Sequence, residues 1–198
     1  MMMTLKSEVV GFKEWLMVCD ALGAGRQSLM VRKGGIAEGK GGFQWQRDRF
    51  LLFPTHFHQQ QAQVEWEPSQ LALADLERPE EIVIRLAATV EWSGRVDDWA
   101  MVEALRPHHI WKEEVVRERF GYGGEAGLSV AVVRVFRLMV PIVLTMEKRF
   151  GGCRSWVDLP EAEESVMEPV MEDAEHQLRV EQLMKLMPLA GRRDQASA

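Results

Sequence analysis

The run from Leu128 to Leu138 constrains this chain more than any other stretch. It is built from valines, alanine and phenylalanine, side chains that favour a pleated backbone, and it reads as a strand. Val130, Val132, Arg134 and Phe136 fall on one face, and Ala131, Val133, Val135 and Arg137 on the other. Other stretches offer partners. Glu81 to Trp92 is a long strand centred on Ile82-Val83-Ile84, and Gln27 to Arg32 is a short one. Phe43, Trp45 and Arg47 alternate with polar residues as a half-buried strand would. Phe50 to Phe53 is expected to stop at Pro54, which lacks a ladder donor, and Arg154 to Leu159 supplies a last short strand.

Helical signals are short and scattered. Ser7 is placed to cap a helix through Phe12, Trp15, Leu16, Cys19 and Leu22, ended by Gly23 and Gly25. Thr55 is placed to cap another through Gln61, and Pro68 to Leu76 forms a third. Asp97 or Asp98 opens a helix towards Pro107, and Trp111 to Phe120 makes one that ends at Gly121. At least five strands among short helices, with no regular alternation, predict an α+β fold: a curved mixed sheet or small β-barrel flanked by short helices.

Composition sets the outer limits. Of 198 residues, 46% are hydrophobic and 27% charged, which excludes a wholly disordered chain. The net charge of −6 is concentrated behind Asp158, so residues 7–159 are expected to form one near-neutral globular domain. Residues 160–198 read as an acidic, then amphipathic, C-terminal tail in which Leu178, Leu183, Leu186 and Met187 form an apolar stripe. Two cysteines, Cys19 and Cys153, make no disulfide framework and suit a reducing compartment. The start lacks a signal peptide's apolar stretch. The apolar run Leu138 to Leu144 contains Pro141 and falls far short of the ~20 residues a membrane helix needs. A cytoplasmic protein without membrane contact is expected.

Three places can carry chemistry. Arg26 to Arg49 holds six bases against two acids around the glycine-rich turn Lys33-Gly34-Gly35. Arg32, Lys33 and Arg49 would meet phosphate there, while Gly34 and Gly35 let backbone amides approach. In Pro54-Thr55-His56-Phe57-His58-Gln59, Thr55 and Gln59 would orient a bound group and His58 could transfer a proton. His56 and His58 have ligand spacing, but zinc needs three or four ligands and none stand near, so no metal or other cofactor is expected. In Phe150-Gly151-Gly152-Cys153-Arg154-Ser155-Trp156, Arg154 and Ser155 follow two glycines. Cys153 reads as a small buried residue beside a packed tryptophan. Arg134 and Arg154 belong to a second segment of net +4, and Glu65 to Glu118 between the two is net −7. If the basic segments pair as neighbouring strands, their charges add into one cleft.

Glu14-Trp15, Ala21-Leu22, Gly25-Arg26-Gln27 and Arg32-Lys33-Gly34-Gly35-Ile36 resemble the opening of a bacterial family catalogued as domain of unknown function 1802. Phe50 to Thr55 with His58-Gln59 resembles its next block. Arg134 to Leu138, Pro141 and Gly152 to Leu159 resemble its closing blocks. The match runs over about residues 12–159 and implies no activity. A helix followed by Gly-Arg-Gln and a strand ending in Arg-Lys is also similar to small RNA-binding barrels of the PUA and ASCH type. That likeness implies a basic cleft between barrel and helices.

Three functions stay open on these residues. One is a domain binding RNA, single-stranded DNA or a nucleotide through Arg32, Lys33, Arg49, Arg134 and Arg154. Another is an enzyme acting on a phosphate-bearing or nucleic-acid substrate with His58 as general acid and base. The third is a non-catalytic module whose C-terminal tail binds a protein partner.

Overall fold

Strands β5 (Glu81–Val96) and β6 (Leu128–Thr145) pair antiparallel along almost their whole length and form the spine of the fold. Their register slips between Ile84 and Leu86 and again between Val90 and Trp92. Each slip adds twist, so two long strands curl instead of lying flat. The remaining elements of this computed structural model, which describes residues 3–4, 10–33, 43–56, 60–160 and 165–187, dress that spine. They are β1 (Met3–Thr4), β2 (Val10–Trp15), α1 (Leu16–Gly23), β3 (Leu29–Arg32), β4 (Arg49–Thr55), α2 (Gln60–Gln63) and α3 (Gln70–Leu76). After β5 come α4 (Trp99–Ala104) and α5 (Glu113–Gly121), and after β6 come β7 (Trp156–Asp158), β8 (Val166–Pro169) and α6 (Asp173–Met184).

The sheet has eight strands in the order β1-β8-β6-β5-β4-β2-β7, with β3 added to β6. All pairings are antiparallel except β2 with β4, which makes the sheet mixed. The path ends at β1 and β7 and does not return on itself among the described residues. The fold is therefore α+β with an open, curved mixed sheet and short helices.

Alternation along the strands feeds two cores. Phe50 and Leu52 of β4 join Phe12, Met17, Leu22, Leu29, Val130 and Trp111 in the larger cluster under α1, α4 and α5. Leu51 and Phe53 point the other way, into a smaller cluster with Ile84, Phe136 and Met167. Burial on both faces explains why β6 reads as nearly continuous apolar sequence.

Several local expectations change. The periodic stretch from Phe12 to Leu22 is not one helix: Val10–Trp15 is a strand and only Leu16–Gly23 is helical. Parallel pairing with β4, Phe12 opposite Leu52, wins over the three- and four-residue spacing. Ser7 lies outside the described residues. Gly25 does close the helix, in the left-handed region at φ 69°, with the Arg26 amide returning to the Ala21 carbonyl at 2.9 Å. Phe43 to Asp48 is not a strand, because Phe43 and Trp45 turn into an aromatic cluster around Phe12. β4 runs through Pro54, where β5 no longer pairs with it and no ladder donor is lost on that side. Ser69 caps α3 and Asp98 caps α4.

The segment read as a tail also contributes to the fold. β8 pairs with Phe136–Leu138 of β6, and α6 buries Leu183 completely in the larger cluster, with Met187 beside it. Only Leu178 of the expected stripe is largely exposed.

Candidate functional site

The end of β2 and the end of β3 bring the first charges together. Arg32, the last residue of β3, reaches across to β2, donates to the Lys13 carbonyl and stands 3.5 Å from the Glu14 carboxylate. Its guanidinium lies 4.6 Å from the centre of the Phe12 ring. The Arg32 Nε is buried without a partner among the described residues. Glu14 is almost fully buried, and one of its oxygens accepts the Trp15 amide at 2.7 Å. Thr55, at the end of β4, donates its hydroxyl to the Glu14 carbonyl at 3.0 Å. It ties two strand ends together instead of capping α2, and Gln60 extends the tie by donating to the Thr55 carbonyl and accepting the Met17 amide.

Helix α5 supplies the opposite wall. Arg119 lies over Trp111 at 3.8 Å, and Trp15, packed edge-on against that indole, is also 5.1 Å from the same guanidinium. Among the described residues Arg119 has no hydrogen-bond partner. Burial, reinforced by Arg32, pulls Arg119 down to about 10 against the opposing pull of Glu14, so it remains a cation at neutral pH. Lys33 is held differently. Its ammonium donates to the carbonyls of Phe120 and Gly127, both at 3.0 Å, and to that of Glu125. Burial lowers its pKa, with Arg95 adding to the effect. Lys33 thus clips the end of α5 to the start of β6 and contributes charge to the wall.

The third wall is the turn before β7. The Lys13 ammonium donates to the carbonyls of Gly151 and Gly152, each at 3.0 Å, and the Lys13 amide donates to Ser155 at 2.8 Å. Gly152 adopts φ 78°, a conformation that turns its carbonyl towards that ammonium and strains any other residue. Burial lowers the Lys13 pKa and the nearby Arg154 lowers it further. Arg154 is exposed beside this turn. Cys153, expected to be buried, is exposed.

Between these walls opens a cleft of about 400 Å³ lined by Arg32, Lys33, Gln63, Glu118, Arg119 and Tyr122, with Cys153 and Ser155 on the turn side. Three cations thus face one lining carboxylate, with the buried Glu14 behind Arg32.

The basic segments do pair as neighbours, β3 on β6, yet their charges do not add into one cleft. Arg32 is opposite Ser129, so Arg134 lies five residues further along β6, about 17 Å away at the usual rise. Arg49 and Arg134 both flank Thr89, on the face of Leu51 and Phe136, whereas Arg32 packs on Phe12 of the other core. Arg134 is also occupied, by the Asp173 carboxylate at 2.5 Å and the Met171 carbonyl at 3.1 Å. Arg49 is exposed. Gly34, Gly35, His58 and Gln59 lie outside the described residues. Of the expected set the structure therefore gathers Arg32, Lys33 and Ser155 in the cleft, with Arg154 between the lining residues Cys153 and Ser155, while the Thr55 hydroxyl reaches only the backbone of Glu14. Sequence reasoning missed Lys13, Glu14, Gln63, Arg119 and Tyr122. Arg119 sits just past the acidic middle segment, and the only hint was the pair of tryptophans it packs against.

Among the described residues no group of three or more histidine, cysteine or acidic side chains could hold a metal. No helix among them is long and apolar enough to cross a membrane.

The sequence pattern of DUF1802, a domain of unknown function, matches residues 11–182, which takes in most of α6 as well as the three blocks read from the sequence. No curated protein matches the chain in sequence. Among solved structures, an ASCH protein from Zymomonas mobilis is similar with a TM-score of 0.48 at 13% identity, covering 91% of this chain and 96% of that one. A mutant form of the same protein gives 0.43 at 12% identity, over 72% of this chain and 90% of that one.

Proposed function

We propose that this chain, which belongs to the DUF1802 family, binds a phosphate-bearing ligand, a nucleic acid or a nucleotide, in the cleft between β2, β3, α5 and the turn before β7. The observation that carries this reading is Arg119. It is a largely desolvated guanidinium facing a polar cleft, with an indole beneath it and no hydrogen-bond acceptor among the described residues. Desolvating a cation without giving it acceptors costs free energy, and a bound anion recovers it.

In this reading the guanidinium groups of Arg119 and Arg32, which line the cleft, contact phosphate, Arg154 draws the chain in from the rim, and Lys33 adds a fixed positive field. Ser155 lines the same wall, and Gly34 and Gly35 offer backbone amides next to Lys33 in the chain. Thr55 braces the strand ends that carry Glu14 and Arg32. Arg49 and Arg134 take no part.

The test is binding of short single-stranded RNA and DNA by fluorescence anisotropy at two salt concentrations. Each phosphate neutralised on a single strand contributes about −0.7 to the slope of log affinity against log salt, so three cations predict roughly −2. Arg119→Gln should weaken binding and flatten that slope. A folded protein that binds neither strand at low salt overturns the proposal.

A further inference from the structure

We infer that the ligand enters this cleft as an unpaired nucleotide whose base stacks on the guanidinium of Arg119, on the face turned away from Trp111 and Trp15. The inference rests on the phosphate-binding reading above and narrows its ligand to nucleic acid that is not in a duplex.

A guanidinium is planar and has two faces and an edge. At 3.8 Å from the Trp111 centroid, one face of Arg119 is already in van der Waals contact with an aromatic plane. Trp111 is itself immobilised, with the Trp15 ring 4.6 Å away and inclined at 65°, and it is almost fully buried. Arg119 therefore lines the cleft held by two indoles, without hydrogen bonds to described residues, and the ligand takes its other face and its N–H edge. A phosphate alone would use the edge and would leave the open face against water. A base laid on that face completes a Trp–Arg–base stack in a site already stripped of much of its water, where cation–π contacts are strongest.

The other walls suit the same ligand. Tyr122, 57% exposed, stands at the lip as a second flat surface, and Gln63 lines the cleft with an amide that can both donate to and accept from a base edge. Arg32 and the rim residue Arg154 remain for the phosphates on either side. The cleft is concave, and a duplex keeps its bases stacked and paired, so reaching Arg119 would first require unpairing. That cost turns a shape preference into selectivity for single strands.

The experiment compares three probes of equal phosphate count: a single strand, the same strand folded into a hairpin duplex, and a strand with abasic sites throughout. Each is titrated onto the full chain, wild type and Arg119→Lys, by fluorescence anisotropy. Lysine keeps the charge and loses the plane. The wild type should bind the single strand at least tenfold more tightly than either the hairpin or the abasic strand, the scale of one stacked base. Arg119→Lys should lose about tenfold on the intact strand with an unchanged salt slope, and should bind the abasic strand as well as the wild type does. Equal wild-type affinity for intact and abasic strands overturns the stacking inference and leaves phosphate binding standing. Losses from the lysine variant and the abasic strand that simply multiply place the base elsewhere and overturn it too. No binding of any probe at low salt overturns the phosphate reading itself. Should Arg119→Lys fail to fold, equal affinity of the wild type for intact and abasic strands still overturns the inference, and Arg119→Gln with the same two strands takes the place of the lysine variant.

Discussion

Glu14→Gln should make the protein less stable and its cleft a better anion site at the same time. Glu14 is almost fully buried, with one oxygen on the Trp15 amide at 2.7 Å and the other 3.5 Å from Arg32. Glutamine keeps an acceptor for the amide but removes the charge that faces Arg32 and lies within reach of Arg119. Breaking a buried ion pair costs about 3–5 kcal/mol when nothing else compensates. Here Arg32 is partly exposed and still donates to the Lys13 carbonyl, which brings the expected loss to about 2 kcal/mol. For a chain of this length that is a fall in melting temperature of roughly 4–8 °C. The same substitution removes a repulsion felt by any anion on Arg32 or Arg119. At a separation of about 7 Å and an effective dielectric of about 40, that repulsion is worth about 1.2 kcal/mol, or roughly a sevenfold gain in affinity. Melting followed by near-ultraviolet circular dichroism, alongside anisotropy titration of a single strand at low salt, reads both effects. A destabilised variant that binds no more tightly would mean that Glu14 does not share its arginines with the ligand. An undiminished melting temperature would remove the ion pair from the account of stability.

Two further outcomes follow from buried residues away from the cleft. Burial, with Arg106 and Arg26 adding to it, lowers His109 to about 4, and its Nδ1 accepts the Trp111 amide at 3.2 Å, a role open only to the neutral ring. Between about 4 and the ordinary 6.5 the unfolded chain therefore binds a proton that the fold excludes, so this contribution is complete above pH 6.5 and fades as pH falls towards 4. The full span is worth about 3 kcal/mol, and urea midpoints at pH 7 and pH 5 should separate less in His109→Asn than in the wild type. An equal separation in both proteins would discard the histidine as the cause. Leu183→Ala should cost about 3 kcal/mol, because the side chain is wholly buried in the main core. A melting temperature within a degree of wild type would mean that α6 is an appendage after all.

The parts of the fold legible in the sequence were those whose signal is local. Strand β6 announced itself by β-branched residues, β5 by Ile82-Val83-Ile84, and α4 by the capping aspartates Asp97 and Asp98, of which the structure uses Asp98. What misled was periodicity that two structures can satisfy. Phe12 and Leu16 fit one helical face, yet Phe12 belongs to a strand whose alternation also buries it, and only pairing with β4 decides between them. The acidic stretch behind Asp158 misled for a related reason. Charge predicts solvation, but α6 needs only a narrow apolar edge, Leu183 with Met187 beyond it, to reach the core while its acids face water.

The site was legible in its chemistry and not in its membership. Net charge along the chain pointed to Arg49 and Arg134 as strongly as to Arg32, since charge counted by segment carries no information about face. Strand parity does: residues opposite Thr89 project from one side of the sheet, and Arg32, at the end of β3, projects over Phe12 on the other. Register adds the second condition, five residues of β6 between the partner of Arg32 and Arg134. Arg119 shows the converse. It follows a run of acids, so counting charge hides it, and it gains its place from Trp111 and Trp15, which the sequence presents as ordinary core residues. A cation fixed by stacking leaves its hydrogen-bonding edge free, whereas Lys33, fixed by three carbonyls, has none left to offer. The distinction between a basic residue that builds the wall and one that meets the ligand therefore lies in what already satisfies it. On that criterion Arg119, and not the more conspicuous Lys33, is the residue around which binding should be organised.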